Sequence, residues 1–264
     1  MAAHVPGPLY LEQIGATGMP MVFLHSTPDD HRLWLFQTAH FSARFRTLAI
    51  DLAGYGRSPA VQKGVRIDDQ ADACWEAIDR IDSGRAIIHG NSMGSAVATA
   101  MARRLPHRTA ALILSGCGFA TPKEVLVRWA DRYANGGLPL RYEQLLEHFA
   151  PDARTNPYLK HYCDMVVELN NAGTLGSIIA MNEALAEPRG AEYYEALTAP
   201  TLIITGTKDV IYKGAFELQK VIPQCELREI EGAGHAVMIE APWDYDRHAI
   251  EFLARHGLYP ETLR

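Results

Sequence analysis

The chain has 264 residues, of which 48% are hydrophobic and 21% charged, a composition typical of globular proteins and unlike that of disordered or fibrous ones. Its formal net charge of −6 at pH 7 excludes the basic surface that nucleic acids and anionic membranes attract. No segment has the roughly 18 apolar residues of a membrane span, and the N-terminus lacks a signal-peptide pattern, so we expect a cytoplasmic protein.

Short apolar runs alternate with helix-like segments along most of the chain. This alternation predicts a mostly parallel sheet with helices on both faces. The apolar periodicity predicts helices over residues 68–81, 93–105 and 242–256. Seven strands are predicted, over residues 9–14, 21–25, 46–52, 85–89, 110–115, 201–205 and 226–231.

The alternation stops between residues 119 and 197, where no strand pattern is found. Asn135-Gly136-Gly137 is typical of a turn and predicts a break between two helices of this stretch. We therefore expect one core domain, made of residues 1–118 and 198–264, with a helical insertion over 119–197. The helices predicted for the insertion cover residues 123–133, 142–149, 157–169 and 175–186.

The strongest chemical signal follows the strand predicted over residues 85–89. Gly90-Asn91-Ser92-Met93-Gly94 has the form Gly-x-Ser-x-Gly and lies between an apolar strand and a helix of small residues. This context is typical of a nucleophile elbow, in which a tight turn holds the serine at its tip. The N–H groups of the following helix then point towards the reacting centre. Ser92 is therefore the predicted nucleophile.

A serine hydroxyl is a weak nucleophile, so it needs a base that is itself oriented by an acid. His235 follows the last predicted strand and Asp209 follows the strand before it. Both therefore lie at the carboxyl edge of the sheet, where open α/β sheets place their sites. The order Ser, Asp, His along the chain is the one found in α/β-hydrolases. We predict that His235 is the base and Asp209 its partner.

Together these motifs resemble those of the α/β-hydrolase fold family, and the resemblance covers almost the whole chain. The segment from His25 to Pro28 resembles the family's His-Gly-x-Pro loop, and the segment from Asp51 to Ser58 resembles its Asp-x-x-Gly-x-Gly-x-Ser turn. The resemblance implies a mostly parallel sheet of about eight strands flanked by helices, with the insertion as a cap over the site. It also implies an oxyanion hole formed by the N–H groups of Thr27 and Met93.

Ser26 occupies the position where the family usually has glycine. Three interpretations of this serine stay open: a shifted loop, a hydroxyl that faces the pocket and binds substrate, and a hydroxyl bonded to its own backbone. We carry it as a candidate substrate-binding residue.

The cap is expected to supply the wall of the substrate pocket, since aromatic and methionine side chains commonly line such clefts. Arg128 or Arg189 could hold a substrate carboxylate, although a surface position is the preferred interpretation of both. Trp129 and Met181 are the principal wall candidates, beside Tyr133, Phe149, Met165 and Leu185.

The elbow is similar to that of meta-cleavage-product hydrolases, which split carbon–carbon bonds. Those enzymes have a tryptophan after the catalytic histidine, whereas Ala236 follows here, and their glycine-rich loop is replaced by Ser26-Thr27-Pro28. We therefore expect a serine hydrolase that cleaves a small, largely apolar carboxylic ester or lactone. A carbon–carbon hydrolase and, less favoured, a ligand receptor on a hydrolase scaffold stay as alternatives.

No metal or cofactor is expected, because the sequence has no zinc-binding spacing, P-loop or dinucleotide fingerprint. Asp29-Asp30-His31 could suggest a metal site, but a carboxylate that caps the following helix is the simpler interpretation. The expected partner is a small-molecule substrate, and a homodimer is left open.

Overall fold

The structure is a computed structural model that describes residues 5–119, 123–169 and 175–260. Its strands form one sheet in the order β1-β3-β2-β4-β5-β6-β7. β1 pairs antiparallel with β3, and the other neighbouring strands pair in parallel. The strands are β1 (Leu11–Ile14), β2 (Pro20–Leu24), β3 (Arg46–Ile50), β4 (Ala86–Asn91), β5 (Thr109–Ser115), β6 (Thr201–Gly206) and β7 (Cys225–Ile230).

The mostly parallel sheet is confirmed, and each strand lies within two residues of its predicted ends. The expected count of about eight is slightly wrong, since the described residues contain seven strands. Residues 5–10 precede β1 without adding a strand. Pro6 and Pro8 have no N–H to donate there, so this stretch cannot form a regular ladder.

Helices cover both faces of the sheet, because successive strand residues point to opposite sides. Val22 and Leu24 pack in one buried apolar cluster, while Met21 and Phe23 pack in the other. The helices are α1 (Leu35–Phe41), α2 (Ile67–Asp79), α3 (Met93–Arg104), α4 (Lys123–Glu147), α5 (Pro157–Leu169), α6 (Leu175–Leu185), α7 (Ala191–Glu195), α8 (Tyr212–Val221), α9 (Val237–Glu240) and α10 (Pro242–Arg255).

The described residues between β5 and β6 contain helices and no strand, and α4 to α7 are called the helical insertion below. The predicted break at Asn135-Gly136-Gly137 is wrong, because α4 runs through it as one helix. A helical glycine costs about 1 kcal/mol relative to alanine, and the packing of α4 against α5 and α6 outweighs this cost. Although α4 has 25 residues, none of the described helices is apolar enough over a sufficient length to cross a membrane.

Candidate active site

Ser92 lies between β4 and α3, in a backbone conformation that non-glycine residues rarely adopt. Its φ is 54° and its ψ is −113°. A Cβ on Gly90 would collide with the carbonyl oxygen of Gly94, and a Cβ on Gly94 would collide with that of Leu24. The Gly-x-Ser-x-Gly pattern is therefore required by close packing around the turn, which holds Ser92 in its strained conformation.

Asp209 and His235 meet on the loops that follow β6 and β7. His235 Nδ1 lies 2.8 Å from Asp209 Oδ1, and both side chains are buried. Burial alone would lower the pKa of His235, but the charge and hydrogen bond of Asp209 raise it above its usual value. Burial would raise the pKa of Asp209, yet His235 lowers it below its usual value. The pair therefore favours an imidazolium beside a carboxylate.

Several hydrogen bonds fix the loop that carries His235. The His235 N–H donates to the carbonyl oxygen of His148 at 2.7 Å, and Asn91 Nδ2 donates to the carbonyl oxygen of His235 at 3.1 Å. Glu240 accepts a hydrogen bond from the Gly234 N–H at 3.0 Å, and burial raises the pKa of Glu240 to about 7. These contacts join residues that belong to no recognisable motif, so the sequence does not predict them.

The loop after β2 is held by His25 and Tyr55. His25 Nδ1 donates to the carbonyl oxygen of Ser26 at 2.7 Å, and His25 Nε2 accepts from the Leu52 N–H at 2.9 Å, a tautomer assigned from these two contacts. The Tyr55 hydroxyl donates to Thr27 Oγ1 at 2.9 Å. This network fixes the segment that carries the predicted oxyanion donor Thr27.

Ser26 is fully buried, and its hydroxyl donates to the carboxylate of Asp29. Its φ lies outside the left-handed region, so serine replaces glycine there without backbone strain. The structure thus places the Ser26 hydroxyl against Asp29, and the role of Ser26 in substrate binding stays a prediction. Asp29 also accepts from the Tyr162 hydroxyl at 2.6 Å, and its Oδ2 lies 3.7 Å from His148 Nδ1. Burial raises the pKa of Asp29, but these partners lower it below its usual value.

A cavity of about 70 Å³ lies beside Ser92. Thr27 and Met93, the two residues predicted to form the oxyanion hole, line this cavity together with Ser92. Met93 is the first residue of α3, so its N–H has no partner within the helix. The structure therefore brings the predicted nucleophile and both predicted donor residues to one cavity.

The helical insertion supplies part of the cavity wall. Trp129 of α4 and Leu185 of α6 line the cavity, in agreement with their prediction. Met181 does not line it: the residue is fully buried, and its sulfur accepts from Gln70 Nε2 at 3.2 Å, so its role in substrate binding stays a prediction. Two further wall candidates, Phe149 and Met165, pack with an apolar core cluster, and the Tyr133 side chain lies outside the described part of the chain.

Arg189 precedes α7 and lines the same cavity as Ser92. Arg189 is therefore half-buried at the cavity and does not lie only on the surface, as the preferred interpretation had it. Arg128 is exposed, as expected.

Asp30, His31 and Asp51 form a buried cluster in which the ligand atoms lie within 4.8 Å of one another. Asp30 Oδ1 accepts from the Arg32 N–H at 3.0 Å and caps the short helix His31–Trp34, which confirms the predicted capping role. Asp51 accepts from His31 Nδ1 at 2.7 Å and from the Arg57 N–H at 2.8 Å. These carboxylates thus have structural partners within the loops that they connect.

Residues 21–245 match the model of a family described as the Alpha/beta hydrolase family. The AB hydrolase superfamily protein YisY of Bacillus subtilis (strain 168) is 29% identical over 254 residues, which cover 88% of this chain and 90% of that protein. A thermophilic esterase from Thermogutta terrifontis has a TM-score of 0.83 at 25% identity, with 97% of this chain and 98% of that one covered. An enol-lactonase from Burkholderia xenovorans LB400 shares the fold, with a TM-score of 0.86 at 23% identity over 95% of this chain and 98% of that one.

Proposed function

Because the chain belongs to the alpha/beta hydrolase family, we propose that it is a serine hydrolase that cleaves a small, largely apolar carboxylic ester or lactone. One observation carries the proposal: Asp209 and His235 share a 2.8 Å hydrogen bond at the sheet edge where the strained Ser92 lines a cavity. A nucleophile needs a base with a fixed orientation, and a buried carboxylate provides this orientation.

In the proposed reaction, His235 takes the proton of the Ser92 hydroxyl while the serine oxygen attacks the substrate carbonyl. The N–H groups of Thr27 and Met93 donate to the resulting oxyanion, and one such donor is commonly worth about 3–4 kcal/mol of transition-state stabilisation. Asp209 keeps the Nδ1 proton of His235 in place and stabilises the imidazolium.

Collapse of the tetrahedral intermediate breaks the bond to the alcohol oxygen, which leaves with the proton from His235. A water molecule then attacks the acyl-enzyme and gives its proton to the same imidazole. The second tetrahedral intermediate breaks its bond to the Ser92 oxygen, which takes that proton back from His235, so the carboxylic acid departs and both residues are restored. For a lactone, both product groups stay on one molecule.

We propose that residues 119–197 act as a cap over this site. Trp129 and Leu185 support this role, since both belong to the helical insertion and line the cavity beside Ser92. The volume of the cavity, about 70 Å³, favours a small substrate.

The test is turnover of p-nitrophenyl esters from acetate to decanoate by the wild type and by Ser92→Ala. We expect repeated turnover by the wild type and background rates for the variant, with unchanged circular dichroism as the folding control. The wild type is also assayed with lactones and with ring-fission diketones. Cleavage of diketones alone would favour the carbon–carbon hydrolase, and tight binding with a single turnover would favour the receptor.

A further inference from the structure

We propose that the substrate carries a carboxylate, and that Arg189 binds it at the end of the cavity away from Ser92. This inference rests on the proposed ester or lactone hydrolysis and names the substrate class. Its basis is that one cavity joins the predicted nucleophile to a guanidinium of the helical insertion.

The lining of the cavity follows the start of α3. Ser92, Met93, Ala96 and Thr99 all line it, and they follow one another along this helix. Thr99 comes seven positions after Ser92, and at a rise of 1.5 Å per residue this corresponds to about 10 Å. A bound molecule can therefore extend for two turns of α3 beyond the serine.

Aromatic contacts place Arg189 towards the far end of α3. Its guanidinium carbon lies 5.8 Å from the centroid of the Tyr193 ring, and the guanidinium carbon of Arg103 lies 3.9 Å from the same centroid. Arg103 lies one turn beyond Thr99, near the end of α3. We therefore place Arg189 towards the part of the cavity that Thr99 lines, away from Ser92.

Arg189 is the residue that carries a charge at neutral pH among the described residues that line the cavity. Burial raises the pKa of the Cys117 thiol, and it raises that of Tyr194 to about 12, so both other titratable lining groups stay neutral. Arg189 donates to the carbonyl oxygen of Ala184 at 3.5 Å and is hydrogen-bonded to the Tyr194 side chain, and among the described ion pairs it has no carboxylate partner. The half-buried guanidinium can therefore pair with an anionic ligand.

The neighbouring hydroxyl groups already have acceptors. Ser95 Oγ donates to the Gly90 carbonyl oxygen at 2.8 Å, Thr99 Oγ1 to the Ser95 carbonyl oxygen at 2.8 Å, and the Tyr194 hydroxyl to a backbone carbonyl at 3.1 Å. Recognition of a polar group at this end therefore falls to Arg189. A guanidinium donates two parallel hydrogen bonds to a carboxylate, a geometry that neutral esters do not match.

The activity test uses the mono-p-nitrophenyl esters of adipate, pimelate and suberate, which keep one free carboxylate. It compares them with the corresponding methyl p-nitrophenyl diesters, in which that carboxylate is methylated. We assay the wild type and the variants Arg189→Met, Arg189→Lys and Arg128→Met. The last is the matched control, because Arg128 is an exposed arginine of the same insertion. We expect the wild type to prefer the half esters, and Arg189→Met to lower their kcat/KM by about tenfold to a hundredfold, the loss of one charge-assisted contact. Arg189→Lys should keep part of the preference, and Arg128→Met all of it.

A binding test separates this inference from the proposed reaction. Calorimetry measures the affinity of monomethyl adipate for Ser92→Ala and for the double variant Ser92→Ala with Arg189→Met. We expect the double variant to bind it at least about tenfold more weakly. Equal affinities, no binding to either protein, or equal activity on neutral and anionic esters would overturn the inference. In the last case the proposed ester hydrolysis stands. Arginine-dependent binding without turnover of any ester would instead reject the hydrolysis and retain the carboxylate site.

Discussion

Two aspartate–histidine pairs lie side by side at the carboxyl edge of the sheet, Asp209 with His235 and Asp29 with His148. In the first pair Nδ1 and Oδ1 are 2.8 Å apart, whereas Nδ1 and Oδ2 are 3.7 Å apart in the second. The two imidazole rings are close, with 5.2 Å between their centroids. The two pairs thus have the same residue types and the same location. They differ in the distance between the two side chains and in the other groups that each carboxylate contacts.

The carboxylate of Asp29 is occupied by the hydroxyls of Ser26 and Tyr162, so it ties the loop after β2 to α5 of the insertion. Asp209 Oδ1 accepts hydrogen bonds from His235 Nδ1 and from the Ile211 N–H. Asp209 Oδ2 has no protein partner among the described residues. We infer that Asp209 orients His235 as the base, while Asp29 positions the loop that carries Thr27. Four predictions test this division of roles.

The largest effect is expected for Asp209→Asn, the variant that separates the two pairs most clearly. The amide would favour the wrong tautomer of His235, so kcat should fall by about 10³- to 10⁴-fold, with the melting temperature little changed. Steady-state kinetics on a p-nitrophenyl ester and a thermal melt measure both quantities. A kcat within about tenfold of wild type would remove Asp209 from the proposed triad.

Asp29→Asn is the matched change in the second pair, and its main effect should be on stability. The variant loses the charged acceptor of Ser26 and Tyr162, so the free energy of unfolding should fall by about 1.5–3 kcal/mol. The loss of kcat should be much smaller than for Asp209→Asn, because Asp29 acts through the position of the loop. Urea denaturation and the same ester assay decide the matter, and a loss of kcat as large as that of Asp209→Asn would contradict the division.

The pH dependence of kcat/KM should identify His235 as the base. Only neutral His235 can accept the serine proton, and Asp209 raises the pKa of His235 above the usual 6.5. Activity should therefore rise with pH through an apparent pKa above 6.5. Since the folded state favours the protonated imidazole, the stability that His235 contributes is fully present below pH 6.5 and is lost as the pH rises through its folded pKa. The contribution of Asp209, whose pKa is lowered, is present above pH 3.8 and is lost as the pH falls through its folded pKa. Without the carboxylate, in Asp209→Asn, the residual activity should titrate at lower pH. An unshifted acid limb would show that another group titrates.

The smallest effect is expected for Ser26→Ala. Loss of one hydrogen bond to Asp29 should lower the free energy of unfolding by about 1 kcal/mol and leave kcat and KM nearly unchanged. Tyr162→Phe, which removes the other hydroxyl from Asp29, is the matched control and should behave alike. A raised KM in Ser26→Ala alone, with stability preserved, would restore the interpretation that Ser26 contacts substrate.

Local sequence was sufficient for the strands and for the elbow. The five inner strands are largely apolar runs, whereas the edge strands β1 and β7 mix apolar and polar residues. Turn residues bound these runs, so the position of a strand depends on its neighbours in the chain. At the elbow, Gly90 and Gly94 are required by the closeness of the backbone itself, and this requirement leaves a readable pattern around Ser92. Asp209 and His235 could be predicted because parallel strands bring the loops at their carboxyl ends together.

The insertion was predicted less well, because weak local preferences competed there with packing. Asn135-Gly136-Gly137 favours a break, yet α4 continues through it in contact with α5 and α6. Trp129 reaches the cavity while Met181, also on an inserted helix, is buried against Gln70. The spacing of apolar residues predicts which face of a helix is apolar, but it does not predict which element packs against that face.

The sequence by itself determined the fold, the turn that strains Ser92, and the order of the three residues proposed to act together. Only the tertiary structure decided that Tyr162 of the insertion binds Asp29 and that Arg189 lines the cavity of Ser92. The physical reason is the range of the interactions. A tight turn or a strand is specified by adjacent residues, whereas the partners of Asp29 include Tyr162, 133 positions away, and are set by how the insertion packs.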